Sequence, residues 1–174
     1  MKKLIVVALL LIIATPSFCQ TKEEGSERND MDRLMKNKEV MPVLNSGDNV
    51  KEVKLVLKQY STAIEKLDMA GTEKLFTTDA EIFESEKSKG NYNRYLEHTL
   101  NPKLKQYKSL KYSNYKADVK IKGDYAYANE TFNCKTITAK DNSKTISQGT
   151  STIVLRKING AWIIISGHYA EKTI

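Results

Sequence analysis

Apolar residues recur at three- and four-residue steps through Val50, Val53, Val56, Leu57, Tyr60, Ala63, Ile64 and Leu67. That spacing collects them on one face of an α-helix and predicts a helix from about 49 to 69. Asp48 or Asn49 is placed to cap it, and Gly71 to stop it. Thr72 then caps a short second helix through Phe76. Ala80–Glu84 reads as a brief strand, and Ser85–Gly90 as a polar loop. A third helix is expected from Asn91 or Tyr92 to Tyr107, with Tyr92, Tyr95, Leu96, Leu100, Leu104 and Tyr107 as its apolar stripe. Pro102 falls inside it. Proline lacks a backbone donor and clashes one turn back, so a kink or break is expected near Leu100–Asn101.

From Leu110 onward the apolar period changes from helical to two. Lys111–Lys122, Tyr125–Ala139, Thr145–Ile158 and Ala161–Ala170 read as four long strands. Gly123-Asp124 and Asn159-Gly160 mark tight hairpins, because a type I′ turn needs positive φ at both central residues. Lys140–Lys144 forms the remaining turn. Helices that precede a run of antiparallel strands define an α+β domain rather than an alternating α/β one.

Two-residue turns fix which side chains share a sheet face. Counting back from Asn159-Gly160 sets Leu155 opposite Ile164, Ile153 opposite Ser166 and Ser151 opposite His168, with Trp162 on the same face. Counting from Gly123-Asp124 sets Val119 opposite Ala128, Ala117 opposite Glu130 and Tyr115 opposite Phe132. The face Ala126, Ala128, Glu130, Phe132, Cys134 is apolar except for one acid. A carboxylate in that setting is desolvated, which raises its pKa unless a cation or donor answers it. Glu130, Ser151, Ser166 and His168 are therefore expected to converge on one cavity. The plainer alternatives are a Glu130 paired with a lysine at the sheet rim, or turned outward by a bulge. Val154, Ile163, Ile165 and Tyr169 fall on the opposite face, and an apolar outer face predicts a homodimer through it.

The amino terminus adds a compartment. Lys2 and Lys3 precede an unbroken apolar run from Leu4 to Ala14, followed by Thr15, Pro16 and Ser17. Such a run is too short to span a bilayer and has the form of a secretory signal peptide. Ser17 and Cys19, small and two apart, suit cleavage before Gln20; the alternative is a lipoprotein acylated at Cys19. The division expected is signal peptide 1–19, flexible polar leader 20–48 with a possible helix over Met31–Val40, and folded domain 49–174. Cleavage leaves Cys134 as the one thiol, expected to be a buried structural residue.

The whole chain of 174 residues carries a formal charge of +7, concentrated after position 49, where 21 basic side chains meet 14 acidic ones. The lysines are dispersed along the predicted elements, and no nucleic-acid-reading motif is present, so a solvated basic surface is expected rather than a nucleic-acid site. Two histidines without metal-ligand spacing give no reason to expect a metal, and no cofactor motif occurs.

Two stretches resemble a known superfamily. One is Tyr95-Leu96-Glu97-His98 through Leu100, Pro102, Leu104 and Lys108-Ser109-Leu110. The other is Gly160-Ala161-Trp162-Ile163-Ile164 through His168. Together with the element order over about 50–170, they resemble the nuclear transport factor 2-like superfamily in its SnoaL-like bacterial branch. The resemblance implies a cone, with three N-terminal helices wrapped on the concave face of a curved antiparallel sheet and a pocket at the wide end. Secreted members often show histidines where this chain has Ser166 and Thr99, which separates it from any histidine cluster of theirs.

Three functions fit these readings. The first is an exported, non-catalytic binder of a small molecule. Its apolar pocket is lined by Tyr60, Phe83, Tyr95, His98, Tyr115, Phe132, Ser151, Ile153, Trp162, Ile164 and Ser166, with Glu130 and His168 orienting a polar group. The second is an isomerase, cyclase or lyase in which His168 is the general base and Glu130 its partner or a raised-pKa acid. The third is a dimeric interaction module acting through the outer sheet face.

Overall fold

The computed structural model describes residues 46–174. The predicted signal peptide, Cys19 and the leader up to position 45 lie outside the described residues.

Helix α1 spans Ser46–Lys66 and buries Val53, Leu57, Tyr60 and Ile64, the central positions of the predicted stripe. It stops five residues before Gly71. Leu67 takes φ +58°, and the amides of Leu67 and Asp68 bond back to the carbonyls of Ile64 and Ala63 at 3.0 and 3.1 Å. This is a Schellman end built on a leucine, a residue rarely found in the left-handed region. Gly71, also left-handed, instead precedes a single 3₁₀ turn, Thr72–Leu75. The Thr72 hydroxyl donates to the Met69 carbonyl at 2.6 Å and meets the Tyr92 hydroxyl at 2.7 Å, tying this turn to the next helix.

Strand β1 (Phe76–Glu84) is longer than its sequence suggests and turns at once into β2 (Lys87–Asn91). The segment expected to be a loop is therefore mostly an edge strand. Its sequence, KSKGN, carries charge where an interior strand carries alternating apolar residues, which is how edges avoid further pairing. A continuous helical stretch follows as α2 (Tyr92–Tyr95), a π-turn (Leu96–Leu100) and α3 (Asn101–Leu104). Asn91 caps it by accepting from the Arg94 amide at 3.0 Å. The wide turn ends just before Pro102, with the Asn101 amide bonded five residues back to the Leu96 carbonyl. The chain thus absorbs the proline at the expected place by widening one turn.

Strands β3 (Tyr107–Lys122), β4 (Tyr125–Thr138), β5 (Lys144–Ile158) and β6 (Ala161–Thr173) follow. The sheet order is β2-β1-β6-β5-β4-β3. The α+β class holds, but the sheet has six strands and is not wholly antiparallel: β1 and β6 run parallel. Both predicted hairpins are two-residue turns, with Lys122 opposite Tyr125 and Ile158 opposite Ala161. Asn159 and Gly160 both have positive φ, as a type I′ turn requires.

Two bulges decide the faces. In β3, Asn114 (φ +53°) and Tyr115 together occupy the space opposite Phe132, between the pairs Ser113–Asn133 and Lys116–Thr131. The inward set changes there from Leu110 and Tyr112 to Tyr115, Ala117 and Val119. In β6, Leu155 pairs with Ile164 but Val154 pairs with Ser166, so Ile165 is supernumerary. Beyond it, Ile153 stands opposite Gly167 and Ser151 opposite Tyr169, not opposite Ser166 and His168 as an unbroken ladder requires. One extra residue exchanges the two faces of a strand. The core between helices and sheet contains Ala80, Ile82, Ala126, Ala128, Cys134, Ile153, Leu155, Trp162 and Ile164.

Candidate functional site

Between α1, the Tyr92–Leu104 helical stretch and the inner sheet face lies a cavity of about 90 Å³. Leu57, Tyr60 and Ile64 line it from α1; Tyr95, Leu100, Lys103 and Leu104 from the second helical stretch. Tyr115, Glu130, Phe132, Ser151 and Tyr169 line its sheet wall. Two inner-face glycines admit the large rings. Phe132 lies across Gly149, its partner on β5, where a Cβ would come within 2.2 Å of the ring. Tyr169 lies back over Gly167, where a Cβ would meet its hydroxyl at 2.9 Å.

Glu130 is the polar centre. It is 7% exposed and accepts hydrogen bonds from the Tyr115 hydroxyl on one oxygen and the Ser151 hydroxyl on the other. Ser151 is its direct ladder partner on β5. The ion pairs of the described residues all lie elsewhere. Burial raises the Glu130 pKa above the ordinary carboxyl value, and the bonds from Ser151 and Tyr115 offset part of that rise. Tyr115 is raised as well, by its own burial and then by the negative charge of Glu130. Tyrosines fill much of the surrounding wall. Tyr60 and Tyr169 have ring centroids 6.2 Å apart, and Tyr95 stacks on Tyr169 at 6.3 Å. Burial pushes all three hydroxyls up, so they stay protonated at neutral pH. The Tyr169 hydroxyl is buried without a hydrogen-bond partner among the described residues.

A charged group closes one end. Lys103 lies 3.2 Å from Glu171 and 4.0 Å from Glu84, which also pairs with Lys89 at 3.0 Å. Burial by itself lowers the Lys103 pKa, but Glu171, followed by Tyr107 and Glu84, outweighs it, and the net direction is upward. Ser147 donates to Glu171. Cys134 is buried, and burial, reinforced by Glu171, pushes its thiol up to about 12. It is an inert core thiol at neutral pH. Among the described residues no group of three or more His, Cys, Asp or Glu side chains has the grouping to hold a metal.

Of the residues expected at the site, Tyr60, Tyr95, Tyr115, Glu130, Phe132 and Ser151 line this cavity together. Others do not. Past the Ile165 bulge, His168 is exposed opposite Thr152, with its Nε2 2.6 Å from the Ser85 carbonyl. Ser166 falls on that same outer face opposite Val154, and Phe83 pairs there with His168 from β1. His98 is exposed on the π-turn, 3.7 Å from Glu97. Ile153, Trp162 and Ile164 are buried in the core but do not line the cavity. Glu130 and His168 consequently point to opposite sides of the sheet and form no acid–base pair. Tyr112, Tyr169, Lys103 and Glu171 line the cavity without having been picked out as site residues. For Tyr169 the only available signal was the possibility of a bulge. For Lys103 and Glu171 nothing in the sequence links two charges this far apart.

An open curved sheet closed by helices over a tyrosine-lined cavity defines a nuclear transport factor 2-like α+β domain. Within that class the chain belongs to the family described as the SnoaL-like domain, whose model matches residues 53–170. Among curated proteins none matches the sequence. Solved structures share the fold at low identity. A nuclear transport factor 2-like superfamily protein from Salmonella enterica superposes with TM-score 0.62 at 17% identity, covering 68% of this chain and 87% of its own. A candidate dehydratase of the same superfamily from Streptomyces avermitilis gives 0.65 at 14% identity, covering 72% and 97%. A candidate ketosteroid isomerase from Shewanella frigidimarina gives 0.57 at 22% identity, covering 66% and 90%.

Proposed function

We propose that the protein is an exported binder of one small, largely apolar molecule, held in the cavity by a hydrogen bond donated to Glu130. The observation that carries the reading is a buried carboxyl with no cation, surrounded by aromatic rings and answered by two hydroxyls. Such a site rewards an apolar body with one well-placed donor. The volume, about 90 Å³, is below the roughly 300–1,000 Å³ of sites for drug-sized ligands, so the ligand is about one ring in size. Export rests on Lys2, Lys3 and the apolar run to Ala14, and predicts a secreted or periplasmic form beginning at Gln20.

The test is calorimetric titration at pH 8 with 4-methylphenol and with 4-methylanisole, which lacks the donor. The phenol is expected to bind tighter, and Glu130→Gln to weaken the phenol by about tenfold, the scale of one hydrogen bond to a charged group. Absence of binding by both probes would sink the reading.

A second reading, an isomerase, cyclase or lyase, is favoured by the raised pKa of Glu130 beside the Tyr115 hydroxyl. In that case Glu130 serves as the base and Tyr115 as the donor, without His168. Turnover abolished in both Glu130→Gln and Tyr115→Phe, with ligand affinity kept, would select it. The outer sheet face, with Val154 and Ile163 half-buried and Tyr125, Tyr127 and Ile146 exposed, supports a homodimer. Sedimentation of a monomer across micromolar concentrations would count against that interface.

A further inference from the structure

We propose that the ligand is an amphipathic organic anion, its ring in the cavity and its charged end at a lysine-rich mouth formed by Lys54, Lys58 and Lys116. This rests on the binding reading above and names the chemical class it takes. Besides these lysines the mouth, a hollow, is lined by Ser61, Glu65, Tyr112 and Tyr115. Three of these, Ser61, Tyr112 and Tyr115, also line the cavity, so hollow and cavity adjoin at the residue that binds Glu130.

The charges there are asymmetric. Lys54 and Lys58 are one turn apart on α1 and project from the same side. Lys116 comes from β3, just past the Asn114–Tyr115 bulge. None of the three belongs to an ion pair of the described residues. The one acid lining this hollow, Glu65, accepts the Tyr112 amide at 2.9 Å, so three lysines face a single carboxylate there. Where Lys103 lines the cavity, outside the hollow, it is neutralised between Glu84 and Glu171. The two sides of the cavity thus differ in sign preference: one offers three lysines, outside the ion pairs of the described residues, against one acid, and the other presents balanced charges. Lysines grouped at a half-open mouth raise the local concentration of anions and orient them on entry. An apolar molecule with one anionic end fits with that end outward, toward α1 and β3.

The experiment uses the whole chain and two probes that differ only at one end: 3-(4-hydroxyphenyl)propionate and 3-(4-hydroxyphenyl)propan-1-ol. Titration at low ionic strength and pH 7.5 is expected to show the acid binding about tenfold tighter, the sum of a few exposed charge contacts. The preference is expected to shrink with added salt. Replacing Lys54, Lys58 and Lys116 together by glutamine brings the acid down to the alcohol, while Lys144→Gln, an exposed lysine at the start of β5 that does not line the hollow, keeps the preference. Equal affinity of the two probes, or a preference that survives the triple replacement, overturns the inference and leaves the binding reading intact. Failure of both probes to bind overturns both.

Discussion

The hydroxyl of Tyr115 reaches the carboxylate of Glu130 from the adjacent strand, two positions along from Ala117, which lies directly opposite that acid. Tyr115 keeps the inward parity of Ala117 and Val119, and the bulge it forms with Asn114 resets the alternation only for the residues before it. Removing the hydroxyl leaves Ser151 as the remaining donor to Glu130. Tyr115→Phe is expected to cost about 1.5–3 kcal/mol at pH 8, the range for a hydrogen bond to a charged group, and less at pH 4. Urea denaturation at both pH values measures it.

Glu130 has a raised pKa in the folded protein because it is buried. The sign follows directly. The folded state holds this proton more tightly than the unfolded state, so Glu130 favours folding most below its unfolded pKa. That advantage is lost as pH rises through the folded value. Glu130→Gln is uncharged at every pH and keeps the shape. It is expected to raise Tm at pH 8 relative to the native chain, with the gain shrinking toward pH 4. A gain that grows on acidification would contradict the burial of this carboxyl.

Gly149 lies beneath the Phe132 ring, and a Cβ there would overlap its edge. Gly149→Ala is expected to push the ring into the cavity and destabilise the fold by about 1–3 kcal/mol, the usual scale of overpacking. Binding of 4-methylphenol falls with it. Thermal melts and titration of the same sample report both.

His168 and Tyr169 are adjacent in sequence and opposite in role. His168→Ala removes an exposed ring whose side-chain hydrogen bond is to the Ser85 carbonyl, and is expected to change stability by at most about 1 kcal/mol and probe binding not at all. Tyr169→Phe removes a buried hydroxyl that forms no well-aligned hydrogen bond among the described residues and has only the Tyr60 hydroxyl beside it, so the stability of the unliganded protein is expected to change by less than about 1 kcal/mol. Loss of probe affinity in His168→Ala would bring the histidine back into the site.

Much of the architecture is written locally. The Val53–Ile64 stripe, the two glycine-bearing turns and the period-two strands each depend on neighbours in sequence, where helical and pleated periodicities act directly. The same is true of Glu130: its inward position follows from a regular hairpin with no bulge between the turn and Ala117. Three outcomes went beyond what local preference indicates. The KSKGN edge strand forms because β1 offers it a ladder, not because its residues prefer one. Leu67 ends α1 before the glycine does. Above all, Ile165 is one residue more than its partner strand can pair, and nothing in an apolar run of tryptophan and three isoleucines marks which residue the ladder will skip. That choice is made by how β6 fits between β5 and the parallel β1, and it sends the imidazole outward and a tyrosine inward.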